Sequence, residues 1–71
     1  MKVVTVDPEI MSGVPCFTKT RVPIKTLHDF IENGDSINKF LDEFPSVSRE
    51  QVVEYLQQAR EIMGYAALRT A

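Results

Sequence analysis

The 71 residues weigh 8.1 kDa, and 44% apolar with 25% charged side chains is the balance of one small soluble domain, which excludes a two-domain enzyme. A chain this short buries only about 60% of the surface it exposes when unfolded, so its core is expected to be marginal and to gain from a second chain. The formal charge of -2 is uneven: Lys2, Lys19, Arg21 and Lys25 outnumber Asp7 and Glu9 up to His28, whereas eight carboxylates face only Lys39, Arg49 and Arg60 from Asp29 to Glu61.

The first third reads as extended. Lys2 to Val6 is short, β-branched and closed by Asp7-Pro8, the pattern of a strand running into a turn. Ser12-Gly13 and Pro15 mark an irregular stretch. Beyond it Phe17, Lys19 and Arg21 alternate with Thr18, Thr20 and Val22, which predicts a second strand over 16–22. Two strands form too small a sheet to stand alone, and each leaves an edge unpaired.

After Pro23 the apolar period changes. Ile24, Leu27, Phe30 and Ile31 share a helical face, with Pro23 suited to the first turn and Gly34 to the C-terminal stop. Asp35 or Ser36 caps a second helix carrying Ile37, Phe40, Leu41 and Phe44, and Pro45 ends it. Ser48-Arg49-Glu50-Gln51 has capping-box spacing, with Val47 and Val52 placed as a hydrophobic staple. A third helix then runs from Arg49 to about Met63 on the stripe Val52, Leu56, Ala59 and Met63. Gly64 weakens it, and Tyr65 to Ala71 is expected to fray or to dock on another subunit. The predicted fold is therefore mainly α in a single domain: an extended or β arm over 1–22, a trihelical helix-turn-helix-like body over 23–63, and a tail over 64–71.

In such a body the third helix takes the recognition position on DNA. Its outward residues Arg49, Glu50, Glu54, Gln57, Gln58, Arg60 and Glu61 sum to -1, which a phosphate backbone disfavours. Any basic footprint must then come from Lys19, Arg21 and Lys25, doubled by a two-fold axis, with Arg49 and Gln51 near the groove. Arg21 could instead cap carbonyls or pair with an acid.

Chemistry is sparse. His28 is the sole histidine and Cys16 the sole cysteine, so no base, nucleophile and orienting group assemble, no disulfide closes within the chain, and no zinc set is present. Cys16 is expected as a small buried hydrophobe and His28 as a packing residue. The three glycines lie too far apart for a phosphate loop. No apolar run approaches the ~20 residues that span a bilayer, and the start lacks a signal-peptide core. These features lead to the expectation of a cytoplasmic, non-enzymatic binding module without cofactor or metal.

The segments 7–16, Thr20-Arg21-Val22-Pro23-Ile24, Asn33-Gly34-Asp35-Ser36 and Glu43-Phe44-Pro45-Ser46-Val47-Ser48 occur in an order and spacing that resemble the domain-of-unknown-function family 433, small prokaryotic proteins regarded as antitoxins. The resemblance implies an N-terminal β element, a helix-turn-helix-like body and pairing with a PIN-like ribonuclease toxin, and no enzymatic activity. Two positions depart from the pattern: Lys19 stands where the family has glycine before Thr-Arg, and if that turn needs φ > 0 the lysine must strain or reshape it; Ser12 also replaces a glycine. A nuclease that binds RNA needs basic surface, so Asp42, Glu54 and Glu61 are the expected partner-binding carboxylates. The favoured expectation is a homodimer that neutralises such a toxin and binds its operator DNA. Two rivals stand beside it: a ribbon-helix-helix repressor in which 17–22 pairs with its symmetry mate and Lys19 and Arg21 enter the major groove, and a structural adaptor without nucleic-acid contact.

Overall fold

The computed structural model describes the backbone of residues 2–70 and the side chains of residues 2–62. Three helices follow a short β element: β1 (Val4–Thr5), a 3-10 turn at Met11–Gly13, β2 (Cys16–Phe17), α1 (Ile24–Glu32), α2 (Ile37–Glu43) and α3 (Arg49–Thr70). The architecture is mainly α, as expected. β1 and β2 pair antiparallel with Val4 opposite Phe17 and Thr5 opposite Cys16. The Thr18 amide extends the pairing to the Val3 carbonyl, and the Thr5 and Thr18 hydroxyls share a 2.9 Å hydrogen bond across it.

The second strand is shorter than the alternation predicted. It ends at Phe17, because the Phe17 amide donates to the Val22 carbonyl at 2.9 Å and Cys16 bridges Pro23, so residues 18–21 form a closed turn. Thr20 ties that turn: its hydroxyl donates to the Phe17 carbonyl and accepts from the Val22 amide. Lys19 sits in it at φ +64°, and Ser12, between Met11 and Gly13, lies at φ +56°. Both departures from the family's glycines therefore occupy left-handed backbone, where a Cβ costs roughly 1–2 kcal/mol. The extended strand over 17–22 that a ribbon-helix-helix pairing requires is not formed, since β2 ends at Phe17 and residues 18–21 turn within the hairpin.

The helix boundaries follow the local chemistry. Pro23, extended at φ -64° and ψ 144°, precedes the first helical residue of α1 rather than occupying it. At the far end Gly34 turns left-handed at φ +83°, its amide donates to the Ile31 carbonyl, and the Asp35 amide reaches the Phe30 carbonyl, the paired bonds of a Schellman stop. Of the two candidate caps for α2, Ser36 serves: its hydroxyl accepts from the Lys39 amide at 3.1 Å. The capping box of α3 closes reciprocally, Gln51 amide to Ser48 hydroxyl at 3.1 Å and Ser48 amide to Gln51 Oε1 at 3.0 Å.

α3 does not stop near Met63. It continues through Gly64 to Thr70, because one helical glycine costs only about 1 kcal/mol and the sequence on either side of it favours helix. The expected boundary between body and tail at 63/64 thus falls inside a helix, and the fraying or docking expected of Tyr65 to Ala71 concerns side chains outside the described residues.

The interior is built on the hairpin as much as on the helices. Phe17, Val22, Ile24, Leu27, Phe40, Val47 and Val52 form the buried cluster, flanked by Val4, Phe30, Ile37, Leu41, Phe44, Tyr55 and Leu56. Phe40 is central: its ring lies 6.0 Å from Phe17, 5.5 Å from Phe30 and 5.2 Å from Phe44, in the tilted or edge-on arrangements that aromatic quadrupoles favour. The staple residues Val47 and Val52 are both in this core. No polar side chain is buried among the described residues.

Candidate functional site

Three surfaces carry the polar and apolar residues that a binding function would use. The first is the hairpin turn and the start of α3. Gln51 joins them: its Nε2 donates to the Thr18 carbonyl at 3.0 Å while its Oε1 completes the capping box. Both ends of the amide are thereby engaged in holding the turn against α3. Lys19 and Arg21 are exposed on that turn, beside the α3 N-terminus. The other two basic candidates are directed elsewhere. Lys25 forms an ion pair with Asp29 at 2.9 Å along α1, and hydrogen bonding to that carboxylate pushes its pKa above the usual lysine value. Arg49 donates to the Asn38 side chain of α2.

The second surface is acidic. Asp42 and Glu61 are exposed and Glu54 is half-buried, its carboxylate accepting from Gln58 Nε2 at 3.2 Å. Among the described residues the side-chain ion pairs are Lys25–Asp29 and Lys39–Asp35, so Asp42, Glu43, Glu50, Glu54 and Glu61 keep uncompensated charge. Asp35, by contrast, is held below the usual carboxylate range by hydrogen bonds from Asn33 and Lys39.

The third surface was not legible as a site. His28 of α1 and Tyr55 of α3, 27 positions apart, share a 2.5 Å hydrogen bond and stack edge to face at 5.6 Å. Partial burial raises the Tyr55 phenol above its ordinary value. Around the pair opens a groove of about 390 Å³ lined by Val4, His28, Tyr55, Gln58, Ala59 and Ile62. Among the described residues no three His, Cys, Asp or Glu side chains converge as metal ligands would, and no helix is long and apolar enough to cross a membrane. Cys16 is buried as expected, its thiol directed at the Val14 carbonyl; His28 is exposed.

Comparison with known proteins adds a family and little chemistry. A family described as "Protein of unknown function (DUF433)" matches residues 4–59, which takes in the hairpin, α1, α2 and the first half of α3 and stops short of Ile62. The chain is also similar to the "Uncharacterized protein y4eO" of Sinorhizobium fredii (strain NBRC 101917 / NGR234), at 31% identity over 51 residues, 72% of this chain. It spans 23% of that protein's length. No solved structure matches it.

Proposed function

The chain belongs to the DUF433 family, and on that premise we propose that it is a cytoplasmic, non-enzymatic binding module of the antitoxin kind, which neutralises a PIN-like ribonuclease by covering its RNA-binding surface. The observation that carries this reading is that Asp42 of α2 and Glu54 and Glu61 of α3 form no ion pair among the described residues, which leaves their carboxylates to a basic partner. Long-range attraction of that sort speeds encounter and selects partners by charge. Chain length adds to it, since a domain of this size has a small core and gains stability from any partner that binds its folded form. The test is inhibition of the neighbouring gene's nuclease by wild type and by the triple variant Asp42→Lys, Glu54→Lys, Glu61→Lys. Inhibition by the variant should weaken at least about 10-fold, and more at low salt than at high; equal inhibition sinks the electrostatic masking.

A second reading, operator binding, is favoured by one observation: Gln51 seats the hairpin turn beside the α3 N-terminus, so Lys19 and Arg21 flank a helix end that itself attracts anions. Since Lys25, Arg49 and Gln51 have partners within the fold, the DNA contact narrows to the two turn residues. Gel shifts on the upstream region in a salt series test it. Removing each cation should lower the salt slope by about one, and a complex insensitive to salt overturns it.

A further inference from the structure

We propose that Asn33-Gly34, at the joint between α1 and α2, is a site of spontaneous deamidation, and that the carboxylate it creates loosens the stop of α1. The inference stands apart from the nuclease reading.

An asparagine is converted when the backbone nitrogen of the next residue closes on its side chain, so the reaction depends on how bare that residue is. Glycine is the barest, having no Cβ. The chain has two asparagines, and only Asn33 precedes a glycine. Both residues of the pair are exposed. A methyl group placed on the Gly34 Cα would meet no atom within 4 Å beyond its chain neighbours, so no side chain crowds the peptide there. The Asn33 carboxamide is drawn forward, toward the residues that follow it, by the bond from its Nδ2 to Asp35 Oδ2 at 3.3 Å. Asn38 differs: it lies within α2, Lys39 follows it, and its Oδ1 accepts from Arg49.

The closed stop of α1 holds the reaction back. The Gly34 amide donates to the Ile31 carbonyl at 3.0 Å, and Asn33 keeps helical angles of φ -82° and ψ -1°. Ring closure needs that bond broken and that ψ rotated, which brings the nitrogen beside the Asn33 Cβ. The exposed last turn of a helix opens at low free energy. Once it opens, the Gly34 nitrogen gives up its proton and attacks Asn33 Cγ. A nitrogen–Cγ bond forms, the Cγ–Nδ2 bond breaks, and the amide nitrogen leaves as ammonia with the balancing proton. Water then opens the cyclic imide, on one side to aspartate and on the other to isoaspartate, with no oxidant or cofactor consumed.

The product is misplaced in charge. Asn33 sits between Glu32 and Asp35 at a helix end that already carries partial negative charge. Deamidation turns a donor to Asp35 into a like charge beside it and moves the formal charge from -2 to -3. In isoaspartate the added main-chain carbon also shifts the Gly34 and Asp35 amides away from the Ile31 and Phe30 carbonyls that they now reach.

Warm incubation of the full chain in mildly alkaline buffer, followed by mass spectrometry of its peptides, tests the proposal. Asn33 should convert to aspartate and isoaspartate at least about 10-fold faster than Asn38, whose follower carries a Cβ. The chain unfolded in urea should convert faster still, because the stop no longer restrains Gly34. Asn33→Asp, which supplies the aspartate product directly, should raise hydrogen exchange at the Gly34 and Asp35 amides by about 2–5-fold, the effect of one misplaced charge at a helix end. An Asn33 that stays intact in the folded chain while it converts in urea overturns the proposal, since the fold would then seal the site. So do equal rates at Asn33 and Asn38, equal rates with and without urea, and exchange in Asn33→Asp that matches wild type.

Discussion

The side of the fold around Phe40 and the side around Tyr55 use similar residue types to opposite ends. Around Phe40 the rings of Phe17, Phe30 and Phe44 close on one another, and the side chain is completely buried. Around Tyr55 the apolar residues Val4, Ala59 and Ile62 line an open groove, and the phenol leans on an exposed histidine. Both belong to the same small chain, so the first must supply most of the stability while the second leaves surface uncovered. A 71-residue protein can tolerate that division only if its core loses nothing.

The largest test of the contrast is Phe40→Ala. Large-to-small changes at a buried aromatic cost about 3–5 kcal/mol, as much as a core of this size supplies. The variant should lose its cooperative urea transition at 25 °C; a shift of the midpoint alone would mean that stability is spread more evenly than the aromatic packing implies. Next comes Gln51→Ala, which removes the acceptor for the Ser48 amide and the bond to the Thr18 carbonyl while the backbone amide of residue 51 keeps its bond to the Ser48 hydroxyl. A loss of about 1–2 kcal/mol is expected from urea melts, with hydrogen exchange rising in the hairpin as well as at the start of α3. Exchange confined to α3 would show that the hairpin is held by its packing and not by this amide.

Lys19→Gly should act in the opposite direction. Relief of the left-handed lysine, less the extra freedom glycine brings to the unfolded chain, should stabilise by roughly 0.5–1 kcal/mol. Destabilisation would mean that the lysine side chain makes a contact worth more than its strain. The smallest effect belongs to the groove side. Because burial raises the folded-state pKa of Tyr55 above the unfolded value of 10.0, its contribution is fully present below pH 10 and disappears as pH rises through the folded-state pKa. Melts of Tyr55→Phe between pH 9 and 11 should fall less steeply than wild type, and parallel curves would dismiss the linkage.

Most helix boundaries were readable because they depend on residues close in sequence: Ser48 with Gln51, Gly34 after Ile31, Pro45 after Phe44. The second strand misled for a related reason. Phe17 to Val22 alternates as a strand should, yet the left-handed backbone at Lys19 reverses the chain, and a lysine gives no sign of it where a glycine would. The length of α3 was missed because a single glycine resembles a stop when neighbouring helix formers are discounted. The His28–Tyr55 pair and its groove lay beyond reading, since nothing local links residues 27 apart. The basic candidates were legible as charges, but their neighbours were not: Asp29 lies one turn from Lys25 on the same helix, while Asn38 meets Arg49 only after α2 and α3 pack.

Cys16 gives the molecule its own chemical clock. It faces Thr5 across the ladder, bridges Pro23 on its other side and is 2% exposed. An alkylating reagent can reach its sulfur only when the packing around the hairpin opens, and there is no other thiol in the chain to confuse the signal. The rate of its modification therefore records how often the fold breathes, and any molecule that clasps the arm will slow that rate without a label being added.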